Sequence, residues 1–113
     1  MTPETYVLDL TAKSNNVRIE LPDGVDAISI HAKANGATWS SGVITLKKSN
    51  HPDMIPVTIN GTPVTLTADG FTELAKADWI KAGFLVPEVT TAASGIIVTL
   101  AICLKRIGGG GPT

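Results

Sequence analysis

The chain has 113 residues, of which 43% are hydrophobic and 17% charged, with a formal net charge of −1 at pH 7. That length holds one domain with one core, and the charged fraction lies below the ~25% of an average soluble domain, so part of the surface is expected to be covered by another protein. A nearly neutral chain has no basic field to hold a phosphate backbone, which argues against nucleic-acid binding.

Turn dipeptides punctuate the chain at Asp23-Gly24, Asn35-Gly36, Asn60-Gly61 and Asp69-Gly70. Each joins a residue tolerant of positive φ to a glycine, the chemistry of tight hairpins. Between them lie short runs rich in Val, Ile and Thr, which suit a pleated sheet. The pattern predicts an all-β fold: a single antiparallel β-sandwich or jelly-roll-like domain of about 7–8 strands over residues 1–107.

In chain order, the first strand is expected from Thr5 to Thr11, with Tyr6, Leu8 and Leu10 on one face. Val17, Ile19 and Leu21 then alternate with Arg18 and Glu20, as in a strand with one wet face. The third, Val25 to Lys33, turns Ile28, Ile30 and Ala32 inward and Ser29, His31 and Lys33 outward, and the fourth, Gly42 to Ser49, buries Ile44 and Leu46 while Thr45 and Lys47 point away. Asn60-Gly61, flanked by Val/Thr/Ile runs over residues 56–67, predicts a two-residue hairpin. Pro56 and Pro63 place it at a sheet edge.

Residues 71–83 are ambiguous, and the favoured reading is a strand near Phe71 to Leu74 with one short helical turn near 77–81. Phe84 to Val89 is a further strand. The last strand, Gly95 to Lys105, carries apolar residues on both faces: Ile96, Val98, Leu100, Ile102 and Leu104 on one, and Ile97, Ala101 and Cys103 with Thr99 on the other. Such a strand should be central and covered on both sides. Its second face, Ile97, Ala101 and Cys103, is covered either by the short Leu74 to Ile80 segment or by a neighbouring subunit; the low charge content favours the subunit and makes this face a candidate interface. The glycine-rich tail at 108–113, with Gly108, Gly109, Gly110 and Gly111, cannot pack a core and is expected to contribute to docking instead.

No residue set points to catalysis. The two histidines, His31 and His51, lack a second ligand at i+2 or i+4. The carboxylates are scattered singly, Ser40-Ser41-Gly42 lacks the glycine spacing of a nucleophile elbow, and no phosphate-binding loop occurs. Cys103, the sole cysteine, lies in an apolar run and reads as a small hydrophobe. No enzyme activity, metal or cofactor is expected. No run approaches the ~18 apolar residues of a membrane span, and Met1-Thr-Pro-Glu-Thr5 reads as no signal peptide, so cytosolic synthesis and no membrane partner are expected. Trp39 and Trp79 allow one alternative, a sugar-binding aromatic platform, against the reading that both fill volume in or over the core.

The segment Gly36-Ala-Thr-Trp-Ser-Ser-Gly-Val-Ile-Thr-Leu-Lys-Lys-Ser49 resembles a motif of small structural proteins of tailed bacteriophages, in which a small-residue and Trp turn opens a strand ending in a Ser/Asn loop. Thr65-Leu-Thr-Ala-Asp-Gly70 and Thr91-Ala-Ala-Ser-Gly95, leading into Ile-Ile-Val-Thr-Leu100, are similar to the rest of that pattern, so the resemblance spans roughly residues 28 to 104. Where the family pattern often has Asp-Gly plus Trp, this chain reads Asn50-His-Pro-Asp-Met54. The resemblance implies a β-sandwich virion protein made in the bacterial host cytoplasm. A capsid decoration protein is the first choice, with other virion proteins and further copies of itself as partners. A head–tail or tail component, or a glycan- or host-surface-binding module using Trp39 and nearby loops, is the alternative.

Overall fold

The structure is a computed structural model and describes residues 4–22, 25–36, 38–59, 64–74 and 83–106. Among these residues the Val/Ile/Thr runs form nine strands: β1 (Glu4–Asp9), β2 (Ile19–Glu20), β3 (Val25–Ala34), β4 (Val43–Ser49), β5 (Val57–Thr58), β6 (Val64–Leu66), β7 (Gly70–Leu74), β8 (Phe84–Thr91) and β9 (Ile97–Arg106). A first sheet has the order β1-β9-β3-β7, and a second the order β2-β8-β4-β5, with β6 also on β4. All pairings are antiparallel.

The pairings nest. β1 meets β9, β2 meets β8, β3 meets β7, and β4 meets β5 and β6. The chain therefore behaves as one long hairpin folded near its middle. That hairpin is then curled so that β3 also pairs with β9 and β4 with β8. This is the topology of a jelly roll, with β5 and β6 sharing one strand position.

Alternation decides what lies between the sheets. Leu8, Ile28, Ile30, Ala32, Val98, Leu100 and Ile102 from the first sheet meet Ile19, Ile44, Leu46, Leu66, Leu85 and Val89 from the second, all buried. Burying such a side chain contributes about 1.5–3 kcal/mol. These positions agree with the inward sets read from the alternation.

Several turn readings need correction. A hairpin at Asn60-Gly61 would pair its two flanks with each other, but both flanks pair with β4. Thr58 lies opposite Lys47, and the next partner, Leu46, faces Val64. β5 and β6 thus share one edge of β4, the sheet edge where the prolines placed them, while Asn60-Gly61 itself lies outside the described residues. Asn35-Gly36 and Asp69-Gly70 do not close hairpins either, because β3→β4 and β6→β7 each pass from one sheet to the other. Asp23-Gly24, the helical turn near 77–81, Trp79 and the tail at 108–113 lie outside the described residues.

Two of the sheet-changing connections, β3→β4 and β6→β7, are joined by one carboxylate. Asp69 Oδ1 accepts the backbone N–H of Ala34, at the end of β3, and the indole N–H of Trp39, each at 2.8 Å. Trp39 itself is 2% exposed and belongs to the core. Its carbonyl accepts the N–H of Gly42 at 2.9 Å, with Ser40 between them at φ 57°. A Cβ on Gly42 would come within 2.7 Å of Leu10 Cδ1 and 3.0 Å of the Ala93 Cβ, so a larger residue there would have to displace Leu10 and Ala93 in the core.

Candidate interaction face

β9 is central, as its two apolar faces suggested, lying between β1 and β3. Of the two covers expected for its outer face, residues 75–80 lie outside the described residues, and among the described residues no second layer overlies that face. Ile97, Thr99, Ala101 and Cys103 alternate with the core set and stand on that outer face.

The ladder register builds the rest of the surface. Thr99 lies between Val7 and Lys33, Ala101 between Thr5 and His31, and Cys103 faces Ser29. His31 in turn faces Phe71, their rings edge-to-face with centroids 5.9 Å apart. The floor along β9 from Thr99 to Cys103 is thus made of small side chains, with Val7 on one side and His31, Lys33 and Phe71 on the other. Val7 and Phe71 are each 61% exposed, and Ile97 39%. A low floor between tall rims makes a trough. At its corner end His31, Lys33, Asn35, Ile97, Thr99 and Ala101 surround a depression of about 450 Å³. Asn35 fixes that end: its N–H donates to the Ile97 carbonyl at 2.9 Å, and its Oδ1 accepts the Ile97 N–H at 3.1 Å.

The charge on this face comes from Lys33, from Asp9 opposite Ile97 and from Glu73 opposite Ser29, all exposed, with Asp69 beyond Lys33. The indole N–H of Trp39 first, then the Ala34 amide, hold the Asp69 carboxyl below its ordinary value, with Lys33 and His31 adding attraction. A floor of Ala and Thr with apolar rims and a few charges of both signs suits protein–protein contact, in which burial supplies the energy and the charges set orientation.

Ile97, Ala101 and Cys103 come together as one strip on β9. Trp39 does not join them. It fills volume in the core, one of its two readings, and the other, an exposed contact or sugar platform using Trp39, is overturned: buried, with its N–H bonded inside the corner, it presents no ring face to a ligand. Gly108 to Gly111 lie outside the described residues. His31 points outward as expected. His51 sits in the loop after β4, its Nδ1 accepting the Asp53 N–H at 3.0 Å. No three His, Cys, Asp or Glu among the described residues are grouped so as to hold a metal ion.

Alternation within β9 could not reveal Val7, Lys33 and Phe71, which reach the face only through pairing. A second feature also escaped sequence reasoning. In the loop between β4 and β5, Met54, Ile55 and the first residue of β5, Val57, are 62%, 87% and 56% exposed. The loop is nonetheless well tied. Arg18 Nη1 donates to the carbonyls of His51 at 3.2 Å and Met54 at 2.9 Å, Ser49 Oγ donates to the His51 carbonyl at 2.8 Å, and Asn50 Oδ1 accepts the Gly83 N–H at 3.0 Å. The available signal was an apolar pair, Met54-Ile55, set in a polar loop between two prolines.

No protein-family model, curated protein or solved structure matches the chain.

Proposed function

We propose that this chain is a structural protein of a tailed-bacteriophage virion, acting on the capsid as a decoration protein. Its working surface is then the outer face of the first sheet, laid against neighbouring subunits, copies of itself included. The open trough on β9, walled by Val7, Phe71 and Ile97, carries this reading. A domain that leaves a face of this kind uncovered gains free energy when another protein covers it.

Two further observations support it. The jelly roll is an architecture that viral capsid domains use, although lectins and cupins share it and the fold alone assigns no activity. The Gly36–Ser49 segment that resembles phage structural proteins forms the sheet-crossing corner, where Trp39 and Gly42 are needed for packing. The mechanism is passive. At about 25 cal/mol per Å², several hundred Å² of apolar contact roughly offsets the 4–15 kcal/mol cost of association. One such contact is marginal, so several per subunit would be needed to stabilise a shell.

The test is to locate and count the chain in purified particles by electron microscopy and quantitative mass spectrometry. Hundreds of copies spread over the head support decoration. A few copies at one vertex or along the tail would reassign it to the head–tail junction or tail. Its absence from particles would end the virion reading.

A further inference from the structure

The apolar projection of Met54, Ile55 and Val57 and the depression beside Ile97 lie at opposite ends of the molecule. β3 ends and β9 begins at the corner end, where the depression is; β4 starts from that same corner at Val43 and reaches the loop only after Ser49. Seven strand residues at about 3.3 Å each separate the two features by about 20 Å. One copy therefore cannot bring its projection to its own depression. A second copy can, and because knob and hole are different surfaces the contact would be heterologous, running head to tail.

The two surfaces match in chemistry. Ile55, 87% exposed, is an aliphatic knob, and the depression offers Ile97, Ala101 and Thr99. Asp53, two residues from the knob, is exposed, and so is Lys33 on the rim; neither forms an ion pair among the described residues, where the pair found is Lys47–Glu88. Opposite charges thus sit beside complementary apolar parts, while Asp9, on the β1 side of Ile97 and away from Lys33, is already held by the Thr11 N–H and hydroxyl. The loop's hydrogen bonds to Arg18, Ser49 and Gly83 also hold it in place beforehand, which lowers the ordering cost of docking.

We infer that the Met54–Val57 loop of one copy seats in the depression of the next, with Ile55 against Ile97 and Ala101 and Asp53 facing Lys33. The inference rests on the proposed function, since a shell supplies the array of neighbours that a small contact needs. Three side chains bury a few hundred Å², below the ~800 Å² per partner of a stable pair. Association of isolated copies is therefore weak and rises steeply with concentration.

The experiment mixes equal amounts of ¹⁴N- and ¹⁵N-labelled chain at high concentration, adds a zero-length carbodiimide that joins carboxylates to amines, and sequences the digest by mass spectrometry. An Asp53–Lys33 linked peptide with one light and one heavy half is expected. Asp53→Lys and Lys33→Asp should each weaken self-association by at least about tenfold in sedimentation, and mixing the two variants should restore it. A linked peptide found only with matching labels, or single reversals that leave sedimentation unchanged, would overturn the inference. Particle composition keeps the two ideas apart. Wild-type copy numbers on particles without the mixed-label link remove the head-to-tail contact and leave the virion reading. The link without the chain in particles does the reverse.

Discussion

The outer faces of the two sheets are made from the same kind of strand and finish differently. On the second sheet, Thr45 and Thr90 share a hydrogen bond at 2.8 Å and Lys47 pairs with Glu88 at 2.5 Å. Beside them Val86, opposite Lys47 in the ladder, is fully buried although it lies outside the inter-sheet cluster. Thr45, read from alternation as pointing to solvent, is buried there too. Cross-strand pairs tie the polar groups of that face together. On the first sheet Val7, Phe71 and Ile97 stand exposed above a floor of small residues. A face that satisfies its own groups gains little from a partner, whereas an open apolar one gains by being covered.

A matched pair of substitutions gives the largest expected effect. Val86 on β8 and Ile97 on β9 are β-branched residues on the outer faces of internal strands. Val86→Lys puts an unpaired charge into a fully buried position and should cost at least about 3 kcal/mol, enough to unfold much of a domain of ordinary stability. Ile97→Lys can run its stem along the trough and hold its amine in water, so the loss should stay within about 1 kcal/mol. Urea denaturation followed by circular dichroism reads both. The second variant should also remain monomeric at concentrations where the parent associates. If Ile97→Lys unfolds, or if Val86→Lys is tolerated, the contrast between the faces is lost.

A smaller effect sharpens the contrast on the closed side. Lys47 and Glu88 side chains are 23% and 21% exposed, so solvent screens their pairing only in part. Lys47→Met should destabilise by about 1 kcal/mol, which for a domain of this size lowers the melting temperature by roughly 4 °C. Adding Glu88→Gln removes the stranded charge and should recover part of that loss, giving a measurable coupling in a double-mutant cycle. Neither change should alter self-association. A change in association would mean that the second sheet also meets a partner.

How much of this was legible in the sequence follows from what alternation encodes. It states which side chains share a face, so Ile28/Ile30, Ile44/Leu46 and Val98/Leu100/Ile102 were assigned to the core, and they are buried. It does not state which strand lies alongside. The two flanks of Asn60-Gly61 have the composition of a hairpin, but β4 offers both of them a ladder. Asn-Gly and Asp-Gly turn the chain equally well within a sheet or between sheets, so the nested topology could not be read from them. The site divided in the same way. Ile97, Ala101 and Cys103 were visible as a second apolar stripe on one strand. Val7 and Phe71 come from β1 and β7, 90 and 26 residues away from Ile97, and only pairing collects them. For Trp39 the core reading holds and the ligand platform does not, but the bond that fixes its indole was not legible, because its partner, Asp69, lies 30 residues along the chain in what reads as a simple turn.

Asp69 gives the smallest expected effect, and it concerns the corner that joins the two sheets. Its carboxylate is held below the ordinary value of 3.8 by the Trp39 indole N–H and then the Ala34 amide. A carboxyl whose folded value is depressed binds fewer protons in the folded state than in the unfolded one. Its contribution is present above the ordinary value and fades as pH falls through the folded value. Asp69→Asn keeps an oxygen acceptor for both donors but removes the charge, so the corner should keep its shape. The melting temperature of the variant should lie slightly below the parent's near neutrality, and the gap should close as the pH is lowered from about 5 towards 2. Asp9, depressed by its bonds from Thr11, titrates in both proteins and cancels in the difference. Melting curves that stay parallel through this range would show that the charge contributes nothing to the corner. Self-association at neutral pH should be unchanged, because Asp69 holds the end of β3 in place from beneath the rim and leaves the open face as it was.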